Sequence, residues 1–217
     1  MSKKEFLDEK IIEMMNEVEQ PAAPVEKGEG DSNEIKPEDR TIYTGIKIKT
    51  RWVYFEPRLL FDDKLSMMIP TEFIDMPLEQ AKTKYPSEQR PEIILMDDTT
   101  SINFMFTHME EEMRNEDSEM IRDQVIGMMQ RLNPGIKPLE SGVEIVSEKN
   151  VAYVEFSNPV MDGKLYNLMY FLEFEGRTLM ICFNCRTNEM KYWKKPAFEV
   201  LQSIKFREDE DNESNTQ

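Results

Sequence analysis

The stretch YNLMYFLEF, residues 166–174, constrains the fold more than any other part of this chain. Leu168, Tyr170, Leu172 and Phe174 alternate with Met169 and Phe171, so both alternating sets are apolar. Successive side chains of a strand point to opposite faces. A strand apolar on both faces has to be covered on both faces.

The flanking segments set the direction of pairing. GVEIVSE and NVAYVEFS read as strands before it, and TLMICFNC follows through Glu175-Gly176-Arg177. Upstream, RWVYFEPRLLFDDKLSMMIP reads as a hairpin with its turn at Asp62-Asp63-Lys64. EIILMDDTTSINFMFT reads as a second hairpin turning at Asp97–Thr100. Short turns between strands give antiparallel sheet, whereas parallel strands need long crossovers. PLEQAKTKYP, between Pro77 and Pro86, reads as a short helix. A long helix is expected through EEEMRNEDSEMIRDQVIGMMQRL. Thr107 and Glu110 have capping-box spacing before it, and Asn133-Pro134-Gly135 stops it. KKPAFEVLQSIKF, starting near Pro196, closes the domain as a helix and a short end. The expected fold class is α+β, an α/β/α sandwich: a twisted antiparallel sheet with helices on both faces.

TLMICFNC holds the only two cysteines, Cys182 and Cys185, at C-x-x-C spacing. Residues three apart on a strand face opposite ways, with Cα atoms about 10 Å apart. A disulfide needs them within about 7 Å. A redox C-x-x-C sits at a helix N-terminus, and zinc needs more ligands than His108 supplies. Both cysteines are therefore expected to pack in the sheet.

Other chemistry is sparse. Asp62-Asp63 and Asp97-Asp98 fit turns, and Glu110–Glu112 suits the first turn of a helix. One His gives little scope for acid–base catalysis, and no phosphate loop or nucleophile elbow is present. The expectation is no enzyme, no metal and no cofactor.

Net charge decides which partners are excluded. The chain carries 43 acidic against 27 basic residues, a net −16. That field repels phosphates and anionic bilayers, so neither nucleic acid nor membrane is an expected partner. No apolar run is long enough to insert into a membrane, and the N-terminus lacks the apolar core of a secretory signal, so a cytoplasmic location is expected.

The charge is densest at the ends. Residues 1–40 hold 12 acidic and 6 basic residues, and 207–217 hold 5 and 1. Four segments are expected: a short amphipathic helix within 1–19, an acidic linker at 20–40, the folded domain at 41–206 and an acidic tail at 207–217. The linker is too poor in apolar residues to offset its ordering entropy. In the first segment Leu7, Ile11, Met14 and Val18 trace one narrow helix face. A helix this short needs a partner to form.

Methionine is abundant, at 17 residues. Met fills cores, and its flexibility also suits surfaces that adapt to varied partners. Met67, Met105, Met128, Met169 and Met180 are candidates for such a surface, with Leu7, Ile11, Met14 and Val18 as the segment that covers it until a partner displaces it. The expected function is a non-enzymatic protein-binding module, with a homodimer left open.

FDDKLSMMIPTEFIDMPLEQAKTKYPSEQRPEIILMDDTTSINFMFT, with the later FNC and the closing WKKPAFEVLQSIKF, resembles the DcrB-related proteins. The resemblance spans roughly residues 50–206. It implies the PsbP-like fold, which is also found in a eukaryotic Ran-binding regulator. It further implies kinship with cytoplasmic chaperones that shield the N-terminal apolar helices of Rhs-type toxins of type VI secretion. The implied role is a chaperone or adaptor for a secreted or effector protein. The alternative is a regulator that binds a GTPase-type switch through charged contacts. The acidic N-terminal arm and the missing lipidation Cys depart from the family's periplasmic lipoproteins.

Overall fold

The computed structural model describes residues 40–207 apart from 87–89 and 161–162. The expected helix within 1–19, most of the 20–40 linker and the tail beyond Arg207 lie outside the described residues.

Seven strands form one antiparallel sheet: β5 (Ile74–Asp75), β6 (Ile93–Met96), β7 (Asn103–Glu112), β8 (Lys137–Val146), β9 (Lys149–Val160), β10 (Gly163–Phe174) and β11 (Arg177–Arg186). Their order is β5-β6-β7-β11-β10-β9-β8. The doubly apolar 166–174 stretch thus lies inside the sheet, in β10, paired to β9 and β11. The β10–β11 turn puts Glu175 and Gly176 at φ 50° and 77°, the left-handed pair that matches the twist of a tight hairpin. Two smaller sheets are built mainly from the strands that precede it in the chain. β1 (Ile46–Ile48) pairs β2 (Arg51–Val53), while β3 (Phe55–Leu60) and β4 (Leu65–Pro70) pair each other and β12 (Lys205–Phe206) joins β4. The helices are α1 (Leu78–Lys84), α2 (Ser118–Leu132) and α3 (Met190–Gln202).

Two apolar clusters sit on the two faces of β10. Met169 and Phe171 pack with Ala81 of α1 and with Ile121, Val125 and Met128 of α2. Leu168, Tyr170 and Leu172 pack with Trp193, Ala197, Val200 and Leu201 of α3. The second cluster also takes in Leu65, Met67 and Ile69 of β4, so that face is covered by strands as well as by a helix. Each fully buried large side chain contributes roughly 1.5–3 kcal/mol. The architecture is mixed α+β and mostly antiparallel, as expected.

Two expectations fail locally. The long helix does not begin after Thr107. β7 continues to Glu112, and helix α2 starts only at Ser118, after a 3-10 turn at Asn115–Asp117. Thr107 and Glu110 are strand residues; Arg114 and Asp117 form a capping box on the 3-10 turn, while the N-cap of α2, Asp117, makes no side-chain capping bond to it. The physical reason is non-local: residues 103–108 and 112 pair with β11, with Phe104 and Phe106 on one face and Met105 and Met109 on the other. Glu110–Glu112 consequently end a strand. In α2 the stripe Ile121, Val125, Met128 and Met129 is buried, whereas Met120 is 52% exposed. The second failure is at α3, which begins at Met190, ahead of Pro196. Trp193 draws the extra turn into the core, where its ring meets Phe73 and Phe183. Pro196 then lies inside the helix and leaves the Tyr192 carbonyl without its helical partner.

Candidate functional site

Helix α3 has two distinct sides. Trp193, Pro196, Ala197, Val200 and Leu201 face the core. Met190, Lys191, Lys194, Lys195, Phe198 and Gln202 recur at steps of one, three and four on the other side, which is one helix face. With Thr187 and Glu199 they line a groove of about 720 Å³. Phe198 and Met190 supply apolar surface between lysines. The Phe198 ring is held edge-on by Tyr153 and Tyr170, at centroid distances of 5.4 and 6.2 Å.

A buried polar network lies under the groove. Lys194 Nζ donates to Glu155 at 2.9 Å and reaches Glu140 at 3.4 Å. Tyr166 donates its hydroxyl to Glu155 Oε2 at 2.8 Å. Glu155 is fully buried, and its Oε1 has no hydrogen-bond partner among the described residues. Burial alone would lower the Lys194 ammonium, but the hydrogen bond and charge of Glu155, with Glu140 behind, hold it above the usual lysine value. Burial, and then Glu155, push the Tyr166 phenol far above its ordinary value. Burial, and then Glu144, do the same to Tyr170. Both phenols stay protonated at any physiological pH.

The chain enters beside this groove. The backbone N–H of Ile42 donates to Glu199 Oε2 at 2.9 Å, and the Arg40 guanidinium stacks on Trp52 at 4.1 Å.

The methionines expected to line a surface do not. Met67, Met105, Met169 and Met180 have no exposed area and Met128 has 2%. Met67 packs in the α3 cluster and the other four in the α1–α2 cluster, where the Tyr85 hydroxyl donates to Met105 Sδ at 3.0 Å. The methionine at the groove is Met190, which sequence reasoning passed over. The alternation of Met190, Lys194 and Phe198 with buried Trp193, Ala197 and Val200 was the signal that marked it. Leu7, Ile11, Met14 and Val18 lie outside the described residues.

Cys182 and Cys185 fall in opposite clusters, as expected for strand residues three apart. Burial, helped by Glu189, pushes the Cys185 thiol well above its ordinary value, which disfavours the reactive thiolate. His108 is held from both sides: its Nε2 lies 2.9 Å from the Phe174 carbonyl and its Nδ1 2.8 Å from the Arg177 guanidinium. That pairing selects the tautomer in which Nε2–H donates and Nδ1 accepts. Among the described residues no group of three or more His, Cys, Asp or Glu could hold a metal ion, and no helix is long and apolar enough to cross a membrane.

No protein-family model and no curated protein matches the sequence. Solved structures do match the fold. Cyanobacterial PsbP from Synechocystis sp. PCC 6803 superposes with a TM-score of 0.53 at 10% identity, over 70% of this chain and 92% of that one. LpqN of Mycobacterium tuberculosis, involved in cell envelope biogenesis, gives 0.48 at 10% identity, over 78% and 98%. The Ran-binding protein Mog1p of Saccharomyces cerevisiae gives 0.43 at 9% identity, over 71% and 96%. The first likeness shows a PsbP-like fold. Identities this low carry no function across.

Proposed function

We propose that this chain is a non-enzymatic protein-binding module whose α3 groove receives an amphipathic helix. The observation that carries this reading is the outward stripe of α3, with Met190 and Phe198 set between Lys191, Lys194 and Lys195 on a helix already anchored in the core. Such a stripe has the spacing that a second helix packs against. Its lysines suit a helix with acidic flanks, and the segment holding Leu7, Ile11, Met14 and Val18 has that composition. In this reading the chain's own arm occupies the groove, and a partner's helix displaces it.

The sequence resemblance to DcrB-related proteins supports a cytoplasmic chaperone or adaptor for a secreted or effector protein with apolar N-terminal helices. The buried thiols, the protonated phenols and the pinned His108 support a role without catalysis. A partner held in the groove should stay bound in about 1 M salt, where exposed charge pairs are screened beyond about 3 Å. Co-purification of full-length chain with its partner at low and high salt tests this. Retention at high salt, lost in Lys191→Glu with Phe198→Asp, is the expected result. Release by salt alone would replace it with the regulator that binds a GTPase-type switch through charged contacts.

A further inference from the structure

The seven-stranded sheet ends differently at its two edges. At one edge stands β5, only two residues long, which leaves little backbone to pair. At the other stands β8, ten residues long, with no strand beyond it among the described residues. Native proteins guard open edges by shortness, proline, irregular pairing or charge. In β8, Pro138 and the register shift between Pro138 and Ser141 protect only the first half. From Ser141 to Val146 six successive residues pair regularly with Val154 to Lys149. Regular pairing on one side leaves outward N–H and C=O groups at every second residue on the other.

Side chains along this edge select what can pair there. Ile145 is 77% exposed and lies on the same face as Val143, which packs against the α2 cluster. Glu140 and Glu144 point to the α3 side. Lys194 Nζ reaches Glu140 at 3.4 Å, and Gln202 donates to Glu144 at 3.0 Å. Glu140 keeps 61% of its side chain exposed. A second copy of β8 would bring two Glu140 and two Glu144 together on one face, and like charges across strands destabilise pairing. The arm of residues 1–40, with 12 acidic against 6 basic residues, is disfavoured for the same reason. A strand with basic side chains on one face and apolar ones on the other meets no such repulsion.

We propose that the free edge of β8, over Ser141–Val146, pairs with an extended segment of a partner protein that carries Lys or Arg at alternate positions, facing Glu144 and, just beyond the paired stretch, Glu140, and apolar residues between them, facing Ile145. This deepens the reading of the chain as a protein-binding module by giving the chemistry of a second partner segment, and it uses a different surface from the α3 groove. Main-chain bonds would supply the affinity and the alternating side chains the selectivity.

The test uses full-length protein and three capped eight-residue peptides: alternating Lys-Val, alternating Glu-Val, and a block of four Lys followed by four Val. Binding is read by fluorescence anisotropy, and the contact by hydrogen exchange across residues 137–160. The expected result is that Lys-Val binds and slows exchange of outward amides within 141–146, while the block and Glu-Val peptides bind about ten-fold more weakly or not at all. Glu140→Lys with Glu144→Lys should reverse the preference to Glu-Val, which a merely unfolded variant cannot do. Lys191→Glu, in the α3 groove, should leave Lys-Val binding unchanged, so failure of the groove reading is distinguishable from failure of this one. Equal binding of the alternating and block peptides would reduce the effect to net charge and overturn the proposal. So would protection elsewhere than β8. Protection of β8 that grows with protein concentration, without peptide, would overturn it in favour of a second copy.

Discussion

The ammonium of Lys194 lies 2.9 Å from the carboxylate of Glu155, a side chain with no exposed surface. One partner opens on the α3 groove and the other is inside the sheet, so surface and core are joined at this pair. Removing Lys194 would leave a charge buried with only the Tyr166 hydroxyl to bind it. Lys194→Met should therefore cost about 2 kcal/mol or more, below the ~3–5 of a fully buried pair because Lys194 is 36% exposed. Adding Glu155→Gln should restore part of the loss, since the amide oxygen still accepts from Tyr166. Urea unfolding of the two single variants and the double variant measures the coupling; additive losses would mean that the pair is not coupled.

Acid sensitivity should have a source at Glu173. Burial would raise its carboxyl, but bonds from Lys149 and from the Gly176 N–H outweigh that and hold it below the usual glutamate range. A carboxylate depressed in the folded state stabilises above its unfolded value, and the contribution is lost as pH falls through the folded value. Wild type should thus exceed Glu173→Gln in stability at pH 7, and the gap should close below about pH 4. A gap that widens on acidification would contradict this assignment.

The two thiols should be inert. Native protein should react with an alkylating reagent at Cys182 and Cys185 only as fast as it unfolds, since both are buried on separate faces. Alkylation rates measured against denaturant concentration check this. Fast labelling of both in the native state would reopen the redox reading of their C-x-x-C spacing.

Core and groove methionines should part company on mutation. Met169→Ala removes a side chain without exposed area and should cost roughly 2–5 kcal/mol. Met190→Ala, at the groove, should change stability little and weaken partner binding. Thermal melts with binding measured on the same samples separate the two effects.

Much of the fold was legible because it is encoded locally. The alternation in β10 and β11 fixed the sheet, and the turns at Asp62-Asp63 and Asp97–Thr100 fixed two hairpins. What was missed depends on distant pairing. HMEEEM, at 108–113, has the composition of a helix start, yet residue 112 pairs with Arg177 and the strand wins. The groove was missed for a related reason. The spacing of Met190, Lys194 and Phe198 against Trp193, Ala197 and Val200 separates rim from core only when the helix begins at Met190, and that start is set by the burial of Trp193. The Lys194–Glu155 pair joins two elements far apart in sequence, and no spacing rule reveals it.

The central claim, that the outward face of α3 holds an amphipathic helix, is tested most directly by photo-crosslinking. A benzophenone side chain placed at Lys191 of the full-length protein faces the groove without disturbing the core. After irradiation of the partner-free chain and peptide mapping, crosslinks to the segment containing Leu7, Ile11, Met14 and Val18 are expected, and partner should suppress them. Crosslinks that avoid this segment, and that partner does not change, would contradict the account.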